Sequence, residues 1–236
     1  MMLAKDNYKG KMTYSIAARC PRTGMFGVAV TTSGIAVGSR CAFVRAGVGA
    51  VLTQHRTDPR LGPVVLDLLA HGFTARAALA GVIAATAHRD WRQLAVLDAA
   101  GTTAAFTGAH VRPAHGEAHG KDCVAIANIV RNETLPAAMV AAFAADPSQP
   151  LAARLLAAIR AGEDAGGEFA AVTSAALLVV DRESFAYVDL RVDQHDAPIA
   201  ELFRLWTQYA PQADDYVLRA IAPDCAASYV APPPKA

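Results

Sequence analysis

The residue pair Met12-Thr13 is the first feature of this sequence that could do chemistry. Methionine aminopeptidases remove an initiator Met that precedes a small residue, so translation from Met12 would give a chain that begins with Thr13. At a free N-terminus a threonine supplies both the attacking hydroxyl and the amine that takes its proton. The alternative is an ordinary threonine at the start of a buried strand. Residues 1–12 decide between the two, because Thr13 has no free amine while they stay attached.

A second candidate is the charged pattern Asp189, Arg191 and Asp193. Alternate residues of an extended strand share one face, so the three side chains would lie side by side, about 7 Å apart. An Arg held between two carboxylates is oriented to bind a substrate carboxylate bidentately. The alternative is a solvated row of ion pairs, which would contribute little.

Two amide side chains are expected to be buried at strand ends. Asn128 lies within the apolar run 124–130, and Gln54 closes the apolar strand 50–54. Asn128 could donate a hydrogen bond to a developing oxyanion, which is worth ~3 kcal/mol at the barrier. Equally, it could be a strand-end residue that satisfies loop backbone. We expect Gln54 and Thr32 to contact substrate in the same cleft.

The segment 109–122 contains His110, His115 and His119. The His-x3-His spacing binds a metal when it lies on a helix, but the Pro and Gly residues of this segment predict a polar loop. The four cysteines are far apart and form no C-x-x-C pair, so no zinc or redox motif is present. We therefore predict no metal and no cofactor. A metal-dependent hydrolase that uses these histidines is less favoured than either a hydrolase based on Thr13 or a non-catalytic binding protein.

Composition excludes several classes of protein. The chain has 236 residues, 53% of them hydrophobic, and a formal net charge of +1, so we expect no attraction to nucleic acid or to anionic membranes. No apolar run approaches the length of a membrane span, and the first eleven residues lack the apolar segment of a secretory signal. We expect a cytoplasmic protein that acts on a small molecule, and a homo-oligomer, with a dimer as the commonest case.

The hydrophobic pattern predicts the order strands, two helices, strands, two helices, strands and one helix. Strands are predicted at 13–19, 26–32, 42–45, 49–54, 94–98, 102–107, 123–130, 174–181 and 185–191, and helices from 61, after Thr74, and at 135–145, 151–161 and 198–209. Strands that follow one another in antiparallel runs favour an α+β fold of two stacked sheets flanked by helices, a four-layer αββα sandwich. We expect a single domain at 13–210, an N-terminal extension at 1–12 and a C-terminal arm at 211–236.

Taken together, these stretches resemble the bacterial family known as domain of unknown function 1028 (DUF1028), which is placed in the N-terminal nucleophile (Ntn) hydrolase superfamily. The matching segments are 13–19, 27–30, 46–54, 105–108, 174–180 and 188–193. The resemblance implies the αββα fold and a nucleophile at the first residue of the first strand, directly after the initiator Met, which here is Thr13. Superfamily relatives mostly hydrolyse amide bonds, so the implied activity is that of an amidase.

Two features depart from the family pattern. Residues 1–12 precede the expected start, either as a misassigned start codon or as a propeptide cut before Thr13. Relatives also tend to carry a basic, glycine-containing stretch where this chain has residues 168–173. The function that the sequence predicts is hydrolysis of an amide bond in a small metabolite. Metabolites that carry a carboxylate group are among the candidate substrates. The alternative is a non-catalytic protein of the same fold that binds a metabolite or a protein partner.

Overall fold

Two antiparallel sheets lie face to face at the centre of the molecule. The computed structural model describes residues 12–227. The strands of the first sheet are β1 (Thr13–Arg19), β2 (Phe26–Thr32), β7 (His115–Gly120), β8 (Cys123–Asn128), β9 (Ser174–Val180) and β10 (Val188–Val192), and those of the second are β3 (Ala42–Arg45), β4 (Gly49–His55), β5 (Arg92–Asp98) and β6 (Thr103–Thr107). Their spatial orders are β10-β9-β2-β1-β8-β7 and β3-β4-β5-β6.

Helices cover the outer faces of both sheets. They are α1 (Gly38–Cys41), α2 (Leu61–Ala70), α3 (Ala75–Ala85), α4 (Leu135–Ala144), α5 (Leu151–Asp164), α6 (Pro198–Tyr209) and α7 (Ala213–Ile221). Helices α4, α5 and α6 pack on the first sheet, and α2 and α3 pack on the second. The predicted αββα sandwich is confirmed. None of the helices within residues 12–227 is long and apolar enough to cross a bilayer.

Strand β1 lies in the middle of the six-stranded sheet and is buried on both of its faces. Tyr14 and Ile16 point into the core beneath the helices, whereas Ala17 belongs to the apolar cluster between the two sheets. Since side chains alternate along a strand, Thr13 and Ser15 share the inter-sheet face with Ala17. Two polar side chains are thereby held in the interior of the molecule, where they require partners.

Two segments outside the regular pattern contain an element that the sequence did not predict. The predicted loop at 109–122 contains strand β7, which pairs along its length with β8; pairing at a sheet edge overrides the weak strand propensity of its His and Gly residues. The described part of the segment 211–236, expected to be a C-terminal arm, contains helix α7, while residues 228–236 and residues 1–11 of the expected N-terminal extension lie outside the described residues. Tyr187 donates a hydrogen bond to Asp214 at 2.9 Å, and the rings of Tyr209 and Tyr216 lie 5.3 Å apart, which docks α7 on the domain.

Two helical glycines give a matched test of packing against propensity. A Cβ on Gly62 in α2 would lie 2.3 Å from the Phe43 ring, while a Cβ on Gly81 in α3 would have no atom within 4 Å. We expect Gly62→Ala to lower the free energy of unfolding by about 1–3 kcal/mol through overpacking. Gly81→Ala should raise it by about 0.5–1 kcal/mol, because Ala is the better helix former. Urea unfolding measures both, and equal effects of the two substitutions would contradict the close packing at Gly62.

Candidate active site

Three strands bring Thr13, Thr32 and Asn128 together at one end of the first sheet. Thr13 is the register partner of Thr32 on β2 and of Asn128 on β8. Directly opposed residues of antiparallel strands share a face, so all three side chains point into the space between the sheets. All three are buried, and 5% of Thr13 is exposed. The hydroxyl predicted as the nucleophile therefore lies inside a polar cluster at the end of a central strand.

Two hydroxyl groups join Thr13 to the residue before it. Thr13 Oγ1 donates a hydrogen bond to Thr32 Oγ1 at 3.3 Å, and Thr32 Oγ1 donates to the carbonyl oxygen of Met12. The amide of Gly34 also donates to Thr32 Oγ1, at 3.3 Å. Thr32 thus orients the Thr13 hydroxyl and at the same time binds the carbonyl group attached to the Thr13 nitrogen.

A buried chain of amide side chains crosses from the first sheet to the second. Ser15 Oγ donates to Gln54 Oε1 at 2.7 Å, and Gln54 Nε2 donates to Gln93 Oε1 at 2.7 Å and to the carbonyl oxygen of Thr13 at 3.4 Å. Asn128 Nδ2 donates to the same Gln93 oxygen at 3.1 Å. Gln93 is therefore the centre of the network, and Gln54 fixes the backbone of the candidate nucleophile.

The direction of this network is set by Gln93. Its Nε2 donates to the Ala127 carbonyl oxygen and to Thr107 Oγ1, both at 3.1 Å, so its oxygen must face Gln54 and Asn128. Asn128 consequently presents its nitrogen to Gln93, and Asn128 Oδ1 is buried with no hydrogen-bond partner among residues 12–227. The sequence predicted Asn128 as a donor to an oxyanion, but the atom left unpaired beside Thr13 is an acceptor.

A buried carboxyl group, that of Glu168, is linked to Met12 through Ser33. Glu168 is 4% exposed, and its Oε2 accepts a hydrogen bond from the backbone N–H of Ser33 at 2.9 Å. Its Oε1 is buried without a partner in the described part of the chain. Burial raises the pKa of Glu168 to about 8. The N–H of Met12 donates to Ser33 Oγ at 3.3 Å, so Ser33 links the carboxyl group to the residue before Thr13.

The raised pKa of Glu168 makes the stability of the fold depend on pH. The native state keeps a proton that the unfolded chain releases, so the free energy of unfolding should fall by roughly 4 kcal/mol as pH rises from 4.5 to about 8. Glu168→Gln should remove this part of the slope, while Glu133→Gln, at an exposed position, should keep it. Denaturant titrations across this pH range measure the difference. If the free energy of unfolding depends on pH in the same way in the parent and in Glu168→Gln, the pKa of Glu168 is not raised.

Cationic side chains surround the ends of β4 and β7 next to this cluster. His55 follows Gln54, and its Nδ1 lies 3.0 Å from the carbonyl oxygen of Trp91. Burial lowers the pKa of His55, and the positive charges of Arg56 and Arg112 lower it further. The fixed positive charges of Arg56 and Arg112 make this rim favourable for anionic groups.

The histidines of the 109–122 segment do not converge. His119 Nδ1 lies 2.7 Å from Thr103 Oγ1, and the ring of His110 packs on Trp91 with centroids 4.8 Å apart. No group of three or more His, Cys, Asp or Glu residues in the range 12–227 is arranged to hold a metal ion. The polar groups around Thr13 are therefore hydroxyl, amide and carboxyl groups.

Comparison with known proteins gives the family. Residues 13–202 match the family model described as a family of unknown function, DUF1028. The chain belongs to this family. The crystal structure of protein SPO2555 from Silicibacter pomeroyi, itself described as a DUF1028 protein, is 32% identical with a TM-score of 0.81, over 87% of this chain and 89% of that one. Anbu (ancestral beta-subunit) from Yersinia bercovieri aligns over 92% of this chain and 100% of its own with 9% identity and a TM-score of 0.42. No curated protein matches the chain.

In this DUF1028 protein the predicted site residues fall into two groups. Thr13, Thr32, Gln54 and Asn128 form the cluster described above. Asp189, Arg191 and Asp193 lie on or beside β10, an edge strand separated from β1 by β9 and β2. All three are exposed, and Arg191 Nη2 forms an ion pair with Asp193 Oδ1 at 2.9 Å. Among residues 12–227, their side-chain hydrogen bonds and ion pairs do not connect them to Thr13.

Sequence reasoning missed three residues of the cluster. Gln93 is the register partner of Gln54, so pairing the predicted strands β4 and β5 in the correct register would have found it. Ser15 could have been found by alternation from Thr13. Glu168 lies outside the helices and strands. Its backbone forms an isolated bridge with Val130 and its carboxyl group accepts from the N–H of Ser33, and neither long-range contact has a local signal in the sequence.

Proposed function

We propose that this protein is a hydrolase of the N-terminal nucleophile type, which cleaves an amide bond of a small metabolite with Thr13 after residues 1–12 have been lost. The observation that carries the proposal is the chain of hydroxyl groups from Thr13 through Thr32 to the Met12 carbonyl oxygen. It joins the candidate nucleophile to a donor that already binds a carbonyl group beside it. Membership of the family, whose matched region begins at Thr13, agrees with this.

In the proposed reaction Thr13 Oγ1 forms a bond to the substrate carbonyl carbon, and its proton moves to the Thr13 amine. The carbon–nitrogen bond of the substrate then breaks, and the leaving amine takes that proton, which leaves an ester on Thr13. Water then adds to the ester carbon while the amine takes its proton. The bond from that carbon to Thr13 Oγ1 breaks, Oγ1 takes the proton back from the amine, and the carboxylic acid is released. Thr32 supplies the hydrogen bond to the oxyanion in both steps.

The free amine of Thr13 needs an acceptor that holds it in position. Asn128 Oδ1 is buried beside Thr13 and has no partner among the described residues, and an amine hydrogen would satisfy it. We therefore assign Asn128 to orientation of the amine, in place of the oxyanion role suggested by the sequence. Gln54, which donates to the Thr13 carbonyl oxygen, fixes the backbone on the other side.

One observation favours the alternative of a non-catalytic binding protein. Met12 is 1% exposed, and its side chain packs within the fold next to Thr13. A residue buried in this way stabilises the uncleaved chain. If residues 1–12 stay attached in the cell, the cluster has no free amine and the protein would act as a binding module.

The test compares chains translated from Met1 and from Met12 against a panel of small amides. We expect hydrolysis in proportion to the fraction of molecules that begin at Thr13, as measured by mass spectrometry of the same samples. Molecules that retain Met12 should be inactive, because the general base is then an amide nitrogen. Hydrolysis by a preparation in which every molecule retains Met12 would contradict the mechanism.

A further inference from the structure

We propose that the pocket filled by Met12 is the site for the acyl half of the substrate, and that it selects an α-amino acyl group with an unbranched apolar side chain. This inference rests on the proposed function and specifies its substrate class. Met12, the residue before Thr13, would then resemble the acyl group that the mature enzyme takes from its substrate.

Every polar group of Met12 has a partner in the fold. Its carbonyl oxygen accepts from Thr32 Oγ1, its N–H donates to Ser33 Oγ at 3.3 Å, and its sulfur accepts from the backbone N–H of Phe169 at 3.2 Å. The residue is 1% exposed. The surrounding residues therefore bind this one residue at three points and enclose its side chain, as a specific pocket encloses a ligand.

The position of Met12 is almost that of an acyl group in the proposed intermediate. The Met12 carbonyl carbon is bonded to the nitrogen of Thr13, whereas the acyl carbon of the intermediate is bonded to Thr13 Oγ1. The nitrogen and Oγ1 to which the two acyl carbons are bonded both belong to Thr13. Thr32 Oγ1 accepts a hydrogen bond from the Thr13 hydroxyl and donates one to the Met12 carbonyl oxygen. An acyl group on Thr13 Oγ1 can therefore keep the oxygen contact with Thr32 and extend into the space that Met12 occupied.

The α-nitrogen of the acyl group is selected by Ser33 and Glu168. In the intact chain the Met12 nitrogen has one hydrogen, which Ser33 Oγ accepts. Glu168 Oε2 is held by the N–H of Ser33, while Glu168 Oε1 is buried and has no partner in the described region. A free ammonium group has three hydrogens, so it can satisfy Ser33 Oγ and also the unpaired carboxyl oxygen. Such a charge beside Glu168 favours the ionised form of a carboxyl group that burial otherwise keeps protonated.

The side-chain part of the pocket is fitted to a flexible, linear group. The Met12 side chain is buried, and the backbone N–H of Phe169 reaches its sulfur atom. A thioether is a weak acceptor and adapts to irregular space, so linear side chains of similar length should fit. Branching at the β-carbon should be disfavoured. The predicted substrates are thus amides of methionine-like α-amino acids with a free α-amine.

The kinetic test uses the chain that begins at Thr13, with its folding checked by circular dichroism, since the family domain also begins there. Three anilides are compared: that of L-methionine, that of N-acetyl-L-methionine and that of 4-(methylthio)butanoic acid, which lacks the α-amine. We expect kcat/KM for the L-methionine anilide to exceed that for the deamino compound by ~10–100-fold, as for a hydrogen bond to a charged group. Glu168→Gln should abolish most of this preference through KM, and Glu133→Gln, at an exposed carboxylate, should preserve it.

A binding measurement separates failure of this inference from failure of the proposed function. L-methionine and 4-(methylthio)butanoate are titrated by calorimetry into a chain that begins at residue 13 and carries Thr13→Ala. Tighter binding of L-methionine, weakened by Glu168→Gln, supports the pocket even if no amide is hydrolysed, and the proposed function alone then fails. Hydrolysis that depends on Thr13 but ignores the α-amine overturns the pocket and leaves the function standing. Equal binding of the two ligands likewise overturns the pocket.

Discussion

Thr13→Ala, made in the chain that begins at residue 13, is expected to lower the rate of amide hydrolysis by ~10³–10⁶-fold, the range seen when an enzymatic nucleophile is removed. The substitution leaves the amine but removes the atom that forms the ester. Thr13→Ser should retain activity, because serine presents the same Oγ next to the same amine. Rates with the best amide of the panel, corrected for the amount of folded protein, measure the effect.

The matched control is Thr207→Ala, which makes the same chemical change at an exposed position of α6. It should leave the rate unchanged. Hydrolysis by the Thr13→Ala chain at the parental rate would exclude Thr13 as the nucleophile. Loss of activity in Thr13→Ala with normal folding and with activity in Thr13→Ser is the pattern that the mechanism requires.

Gln93→Leu should lower the free energy of unfolding by roughly 4 kcal/mol, the other large effect that the structure predicts. Gln93 Oε1 accepts from Gln54 and Asn128, and its Nε2 donates to the buried carbonyl oxygen of Ala127. Leucine is close in size but leaves these groups without their partner. Each buried polar group that is stranded in this way costs about 1–3 kcal/mol.

Gln212→Leu, at an exposed position next to α7, is the control and should change stability by less than ~0.5 kcal/mol. Urea unfolding of both variants gives the comparison. Because Gln54 and Asn128 flank Thr13, Gln93→Leu should also reduce hydrolysis in the molecules that remain folded. Stability of Gln93→Leu within 1 kcal/mol of the parent would mean that Gln93 is not needed to pair the buried polar groups around it.

The architecture was predictable from the sequence because its signals are local. The alternation in β1 and β2, the Thr74 cap that accepts a hydrogen bond from Ala77, and the apolar stripe of α6 from Pro198 to Tyr209 each follow from a few neighbouring residues. β7 could not be predicted in this way, since its residues form a strand only because β8 pairs with them. The C-terminal helix α7 was missed for a similar reason: its contact with Tyr187 is made across the tertiary fold.

The site was only partly predictable, since its chemistry depends on register and on long-range contacts. Sequence pattern identified Thr13 and Asn128 as notable, but only the direction of the Gln93 hydrogen bonds reveals which atom of Asn128 is left unpaired. Arg191 and Asp193 are residue types that are common in binding sites. The strand order nevertheless places them at the solvent-exposed edge of the first sheet, where they form an ion pair with each other. Glu168 accepts a hydrogen bond from Ser33, which lies more than a hundred residues away along the chain.

Residues 168–173 acquire a specific meaning from this geometry. In this chain the stretch begins with Glu168, whose carboxyl group is linked through Ser33 to the N–H of Met12, the residue that precedes Thr13. A carboxyl group at that place changes which α-substituents the acyl pocket accepts. We expect members with a basic stretch there to prefer acyl groups that carry negative charge, and hydrolysis of matched anilides by the two kinds of member would test it.

The identity of the N-terminal residue tests the central claim most directly. The chain should be expressed from its own gene in its native host, purified without a tag at its N-terminus, and examined by intact mass and N-terminal sequencing. The proposed mechanism predicts a mass that lacks residues 1–12 and a first residue Thr13, with a free amine. A protein that retains Met12 in front of Thr13 would contradict it, because Thr13 would then have no amine to act as its base.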